Sequence, residues 1–133
     1  MILARLEAML RRYPEVRFAT RPGVLEVPAQ TPSGLTVSIL DGRYHFVIAF
    51  DGHHTVFHDP DEALRCFWFG LSSDARLRVL RRGSVDYRWI LQSRDGSSWV
   101  DSDETGLLIF PFWARCEERV LQNALVDRRD AFR

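Results

Sequence analysis

Apolar residues recur at helical spacing at the beginning of the chain. They are Ile2, Leu3, Leu6, Met9 and Leu10, and charged residues lie between them. Pro14 ends the pattern, because proline lacks the N–H that a helix interior requires. This periodicity predicts an amphipathic N-terminal helix of about three turns.

From Leu35 onwards apolar and polar positions alternate, and Asp-Gly pairs at 41–42 and 51–52 interrupt the alternation. An Asp-Gly pair between alternating segments is the strongest short-range signal for a tight hairpin, so the two pairs predict a three-stranded meander. Two-residue turns would place Ile39 opposite Tyr44 and Phe46 opposite Phe57. In that register the large apolar residues all lie on one face of the sheet.

The segment Asp59-Pro60-Asp61-Glu62 has the composition of a helix N-terminus. An aspartate cap, a proline in the first helical position and acidic residues near the positive end of the helix dipole are all favourable there. The following helix would bury a stripe of four residues, Leu64, Phe67, Trp68 and Leu71. Phe69 lies off this stripe, and its exposure would indicate association with a partner.

A second group of alternating segments follows this helix. The loop 81–83 between them predicts a three-residue hairpin with Gly83 in the left-handed conformation, which would place Arg78 opposite Asp86. Asp95-Gly96 predicts the next turn, and the strand after it could extend into GLLIFPF. Residues 112–126 fit one helical face and favour a helix, although ARCEERVLQN could instead form a last edge strand.

Together these segments predict a single α+β domain over residues 1–133. An antiparallel sheet made of two β-meanders would pack against an N-terminal helix, a central helix and a C-terminal helix. The length of 133 residues and the 46% hydrophobic content suit one globular domain with its own core.

Charge and cysteine content restrict the classes of partner. The 18 basic and 18 acidic residues balance, so no electrostatic field favours nucleic acid or an anionic membrane. No apolar run approaches the roughly 20 residues that span a bilayer, and the N-terminus lacks the pattern of a signal peptide. Cys66 and Cys116 match neither a CxxC nor a zinc pattern, so we expect reduced thiols in a cytoplasmic protein.

All four histidines lie between positions 45 and 58, which suggests a metal site or an acid–base site. In the predicted register Ser38, His45 and His58 form one row across three strands, with His54 further along the same face. Cross-strand neighbours lie about 5 Å apart at Cβ, close enough to share one divalent transition metal. The alternative is an ordinary solvated sheet face, and His53 is expected to be solvated beside the turn.

Catalysis has less support than binding. Ser38 lies in mid-strand without a nucleophile elbow or an oxyanion hole, and Asp59, Asp61 and Glu62 are explained by the helix cap. The first hypothesis is therefore a non-catalytic, cofactor-free domain that binds a protein partner or itself through an apolar or aromatic surface. The second is a metal-binding or ligand-binding domain, or a metal-assisted hydrolase, in which His45 and His58 are the metal ligands.

Overall fold

Two antiparallel sheets and two α-helices form the fold in the computed structural model, which describes residues 2–132. The helices are α1 (Ile2–Leu10) and α2 (Pro60–Leu71), and a short 3-10 helix follows at Arg128–Phe132. The strands are β1 (Ala19–Arg21), β2 (Val24–Val27), β3 (Val37–Asp41), β4 (Phe46–Phe50), β5 (His53–Phe57), β6 (Ala75–Arg82), β7 (Val85–Asp95), β8 (Ser98–Gly106) and β9 (Cys116–Leu121). The predicted α+β class is confirmed.

Each sheet is built largely from strands that are consecutive in the chain. The first sheet has the order β1-β2-β3-β4-β5, and the second has the order β8-β7-β6-β9. β6, β7 and β8 therefore form a meander, and β9 returns to pair antiparallel with β6. β5 of the first sheet contacts β7 and β8 of the second, so the two sheets meet at that edge.

Helix α2 begins and ends as its sequence predicts. The Asp59 carboxylate accepts a hydrogen bond of 3.1 Å from the backbone N–H of Glu62, and Pro60 occupies the first helical position. The helix ends at Leu71, where the backbone N–H of Ser72 donates to the carbonyl of Phe69. The predicted N-terminal cap is confirmed.

The buried face of α2 supplies the centre of the core. Leu64, Phe67, Trp68 and Leu71 are at most 1% exposed and belong to one cluster with buried residues of α1 and both sheets. The indole N–H of Trp68 also donates a 2.8 Å hydrogen bond to the carbonyl of Asp127. The polar atom of this large side chain is thereby satisfied as it enters the core.

The predicted register of the first hairpin is wrong. Ile39 lies opposite Ile48, not opposite Tyr44, and residues 42–45 form a four-residue loop closed by a bond from the Gly42 N–H to the His45 carbonyl. The observed pairing joins residues that are fully buried and leaves Tyr44 in solvent. The observed register differs from the predicted one by an even number of residues, so each residue stays on the predicted face of the sheet. The prediction of one apolar face therefore still holds.

The second hairpin has the predicted register, with Phe46 opposite Phe57. The register of the β6–β7 hairpin differs from the prediction, because its loop holds only Gly83 and Ser84 and a bulge follows Leu80. Asp86 therefore lies opposite Arg81 instead of Arg78. Gly83 does adopt a positive φ of 61°, as predicted.

The C-terminal helix predicted within residues 112–126 is absent from the described chain, and the alternative of an edge strand is correct. Cys116–Leu121 forms β9, which pairs with β6 so that Glu118 lies opposite Leu80 and its carboxylate accepts a hydrogen bond from Arg78. Pairing with the open edge of β6 outweighs the helical propensity of the glutamates, because tertiary context overrides intrinsic preference.

Replacing Gly70 by alanine in α2 tests how closely this helix approaches β4. A Cβ at position 70 would lie 2.1 Å from Cε1 of Phe50, which is fully buried. In a helix with free space at that position, replacing glycine by alanine would stabilise the protein by about 0.5–1 kcal/mol. Here we expect it to destabilise the protein by about 1–3 kcal/mol through overpacking.

The measurement is urea unfolding of the wild type, Gly70→Ala, Phe50→Leu and the double variant. Leucine at position 50 should leave room for the new Cβ at position 70. The double variant should therefore lose less stability than the two single losses added together. A Gly70→Ala protein as stable as the wild type would contradict the close packing.

Candidate functional site

The candidate residues Ser38, His45, His54 and His58 form two separate groups in the structure. The imidazole rings of His45 and His58 lie 6.4 Å apart between centroids, in an edge-on arrangement on an exposed surface. Ser38 lies opposite Ala49, and Ala49 lies opposite His54. Along β5, His54 and His58 are four residues apart, about 13 Å in an extended strand.

This arrangement corrects the predicted row of Ser38, His45 and His58. The four-residue loop moves His45 beyond the end of β4, so Ser38 has Ala49 as its neighbour instead of an imidazole. A serine–histidine relay through Ser38 and His45 therefore has no geometric basis. Among residues 2–132, no group of three or more His, Cys, Asp or Glu side chains is placed to hold a metal ion.

His53, which the sequence predicts to be solvated, is completely buried at the junction of the two sheets. Its Nδ1 lies 2.8 Å from the Thr105 hydroxyl, and its Nε2 lies 3.2 Å from an Asp103 carboxylate oxygen. The Thr55 hydroxyl donates a 3.0 Å hydrogen bond to the same carboxylate. Thr105 of β8 contacts the His53 ring from the second sheet, and a contact 52 positions away in the chain could not be read from local sequence.

The groups around His53 determine whether its ring is charged and which ring nitrogen carries the proton. Burial lowers the pKa of the imidazole, and the nearby Asp103 carboxylate only partly opposes this effect. In the neutral ring, Nε2 carries the proton, because the carboxylate can only accept a hydrogen bond. Nδ1 then accepts from the Thr105 hydroxyl, so the ring links β5 to β8 through both nitrogens.

Below this junction lies a cleft of about 360 Å³ between β5, α2, β7, β8 and the 3-10 helix. Phe57, Phe69 and Leu91 supply its apolar surface. Phe69 is half-buried against the core, and the guanidinium carbon of Arg128 lies 4.8 Å above its ring. The expected exposed phenylalanine on α2 is therefore a cleft residue covered by an arginine.

Cys66 also lines the cleft but has the properties of a packing residue. Burial raises the pKa of its thiol to about 12, so it stays protonated at neutral pH. A protonated, enclosed thiol is a poor nucleophile.

The basic side chains around the β6–β7 hairpin already have partners. Arg76 donates to Gln92, Arg78 to Glu118 and Arg81 to Asp86. Hydrogen bonds from Arg119 and Arg81 lower the pKa of Asp86, so this carboxylate remains charged near neutral pH. These pairings make a charged, internally neutralised face.

The largest exposed apolar feature is the loop of residues 107–113, which joins β8 to β9. Four of its side chains are almost free of the protein: Leu108 is 98% exposed, Ile109 90%, Phe112 71% and Trp113 76%. In the sequence this loop is a run of seven apolar residues, LLIFPFW, which predicts that the preceding strand continues into it. The strand ends at Gly106, and beyond it, among the described residues, only the Leu107 N–H is seen to continue the pairing, with a hydrogen bond to the Tyr87 carbonyl of β7.

This loop is fixed to the second sheet by its backbone and by one aromatic ring. The guanidinium of Arg82 donates to the carbonyls of Phe112, at 3.3 Å, and Ala114, at 3.0 Å. The ring of Phe110 stacks on Tyr87 with centroids 4.4 Å apart. The exposed side chains are thus held outward by a set of defined contacts.

Comparisons of the sequence with protein-family models and curated proteins, and of the fold with solved structures, give no match. No helix in residues 2–132 combines the length and the hydropathy needed to cross a membrane.

Protonation of His53 should make the protein less stable in mild acid. The pKa of His53 is lowered in the folded state, so below about pH 6.5 the unfolded chain binds a proton that the folded chain resists. Stability is then lost as the pH falls from that value towards the folded-state pKa. We expect the melting temperature to fall between pH 7 and pH 5.

The test compares melting temperatures of the wild type, His53→Gln and His54→Gln across this pH range. His54 is the adjacent, exposed histidine, and its charge is a smaller cause of the lowered pKa of His53 than burial is, so its substitution should change the pH dependence little, whereas His53→Gln should flatten it. Parallel curves for all three proteins would contradict a neutral, buried His53.

Proposed function

We propose that this chain is a non-catalytic protein-interaction domain that pairs with a second copy of itself through the 107–113 loop. The observation that carries the proposal is the exposure of Leu108, Ile109, Phe112 and Trp113 on one anchored loop. Monomeric proteins seldom present such a contiguous apolar surface unless something binds it.

The area of this surface suits a dimer. With roughly 200 Å² for each whole side chain, the exposed parts of these four side chains amount to about 700 Å² per protomer. A standard protein interface buries about 800 Å² per partner. Two copies of this loop, packed against each other, would therefore supply most of an ordinary two-fold contact.

The charges around the loop favour a second copy as the partner. Arg88 pairs with Glu104, and Asp86 accepts hydrogen bonds from Arg81 and Arg119. These charges are paired within the chain, and the whole chain has no net charge. A strongly charged partner would find no complementary field here, whereas two identical neutral surfaces do not repel each other.

The proposal places this dimer in the cytoplasm. Cys66 and Cys116 are both free thiols, and Cys116 is exposed. Unpaired thiols are usual in a reducing compartment.

Replacing Trp113 by serine should weaken dimerisation without unfolding the protein. Trp113 is 76% exposed, so its loss removes apolar interface area but little of the folded monomer's packing. Aromatic side chains dominate binding energy at interfaces, so the dissociation constant should rise at least about tenfold. Sedimentation velocity over the micromolar range measures this change.

Tyr44→Ser is the matched control, because Tyr44 is also 76% exposed but lies in the β3–β4 loop of the other sheet. It should leave the dissociation constant unchanged, and both variants should melt close to the wild type. A wild-type protein that sediments as a monomer throughout, or a dimer equally weakened by Tyr44→Ser, would overturn the proposal.

A further inference from the structure

The geometry points to a second binding site, the cleft below the sheet junction, and we infer that it takes a small carboxylate with an apolar body. The site is separate from the 107–113 loop and does not depend on the proposed dimer. Its volume of about 360 Å³ is within the range of small-molecule sites. The argument rests on which lining groups are already satisfied within the protein and which are not.

The apolar part of a ligand would lie on one continuous surface. Phe57 of β5, Phe69 of α2 and Leu91 of β7 converge from three different elements. The protonated thiol of Cys66 adds a neutral group to this surface. An aliphatic chain or a single ring would be desolvated there, with a favourable free energy proportional to the apolar area buried.

The acidic group in the cleft is occupied by the protein itself. The Asp103 carboxylate accepts hydrogen bonds from the Thr55 hydroxyl, at 3.0 Å, and from the backbone N–H of Glu104, at 2.9 Å. It also faces Nε2 of His53 at 3.2 Å. The contacts with Thr55 and His53 join the first sheet to β8, so much of the hydrogen-bond accepting capacity of the Asp103 carboxylate is used within the protein.

Two basic residues, Arg65 and Arg128, line the cleft, and the guanidinium of Arg128 is held by its carboxylate partner only at long range. Arg128 forms a long ion pair with Asp74, in which a guanidinium nitrogen lies 3.8 Å from a carboxylate oxygen, too far for a hydrogen bond. The guanidinium instead lies over the Phe69 ring, at 4.8 Å. A guanidinium held over an aromatic ring can still donate two N–H hydrogen bonds to a carboxylate.

Together these observations point to one class of ligand. The ring of Phe69 contributes to the apolar surface and also orients Arg128, so the apolar and anionic ends of one molecule would be recognised side by side. The hydroxyls of Ser93 and Ser102 line the remaining wall and favour a ligand with some additional polarity. A monocarboxylate of modest length meets all these conditions.

The test uses the aromatic anion 8-anilinonaphthalene-1-sulfonate as a fluorescent probe and octanoate as the competing carboxylate. The measured quantity is the fluorescence that octanoate displaces, compared between the wild type and the Arg128 variant, because displacement of dye from the 107–113 loop would not depend on Arg128. Octanamide, of the same length but uncharged, separates recognition of the carboxylate from simple burial of the chain.

Arg128→Gln should weaken octanoate binding at least about tenfold, since a charge-assisted hydrogen bond is lost. Arg129→Gln is the matched control on the same 3-10 helix, because Arg129 pairs with Asp127 and does not line the cleft. Ser93→Tyr should abolish displacement by filling the cleft without changing its charge. Thermal melting of each variant tests whether it is folded. If Ser93→Tyr does not fold, Arg128→Gln alone decides the outcome.

Three results would overturn the assignment. They are an absence of octanoate-displaceable fluorescence in the wild type, equal affinity in Arg128→Gln and Arg129→Gln, and competition by octanamide as strong as that by octanoate. The first would remove the site, and the other two would remove the anionic character of its ligand.

Discussion

Helix α2 packs one apolar stripe against strands of both sheets, and the positions of the other elements follow from this contact. Phe67 and Trp68 are fully buried, and Gly70 lets the helix approach Phe50 closely enough for ring and backbone to touch. At the end of the helix the buried amide of Asn123 donates to the carbonyls of Gly70 and Leu35. The helix, the first sheet and the segment after β9 are thereby joined at one point, where an unpaired polar group would be costly.

The cleft is a geometric consequence of this arrangement. A helix covers a limited width of sheet, and β5 meets β7 and β8 at an edge rather than face to face. The junction is closed by a polar contact, in which His53 joins Thr105 and Asp103, instead of by apolar packing alone. The space between this contact and Phe69 remains open, so the same residues that connect the sheets also form one wall of a site.

Local signals were sufficient to predict α1, α2 and the second hairpin, because a cap, a helical period and a short turn each depend on adjacent residues. The register of β3 on β4 was not predictable in this way. Burying Ile39 against Ile48 outweighs the two-residue turn that Asp41-Gly42 favours. The burial of His53 and the strand at Cys116–Leu121 likewise depend on partners far away in the chain. The ring centroids of His45 and His58 lie 6.4 Å apart beyond the end of the β4–β5 ladder, and the positions of the cleft and of the 107–113 loop required the tertiary structure.

The hydrogen bonds of the 107–113 loop determine how a partner could bind it. The N–H of Leu107 donates to the Tyr87 carbonyl, and the N–H of Phe112 donates to the Phe110 carbonyl. Arg82 occupies the carbonyl of Phe112, and Pro111 has no N–H to offer. Several backbone groups that a new strand would need are therefore already in use, which disfavours binding by strand addition. Association at this surface has to proceed through side-chain packing, so its strength should depend on the individual aromatic and aliphatic residues rather than on the backbone.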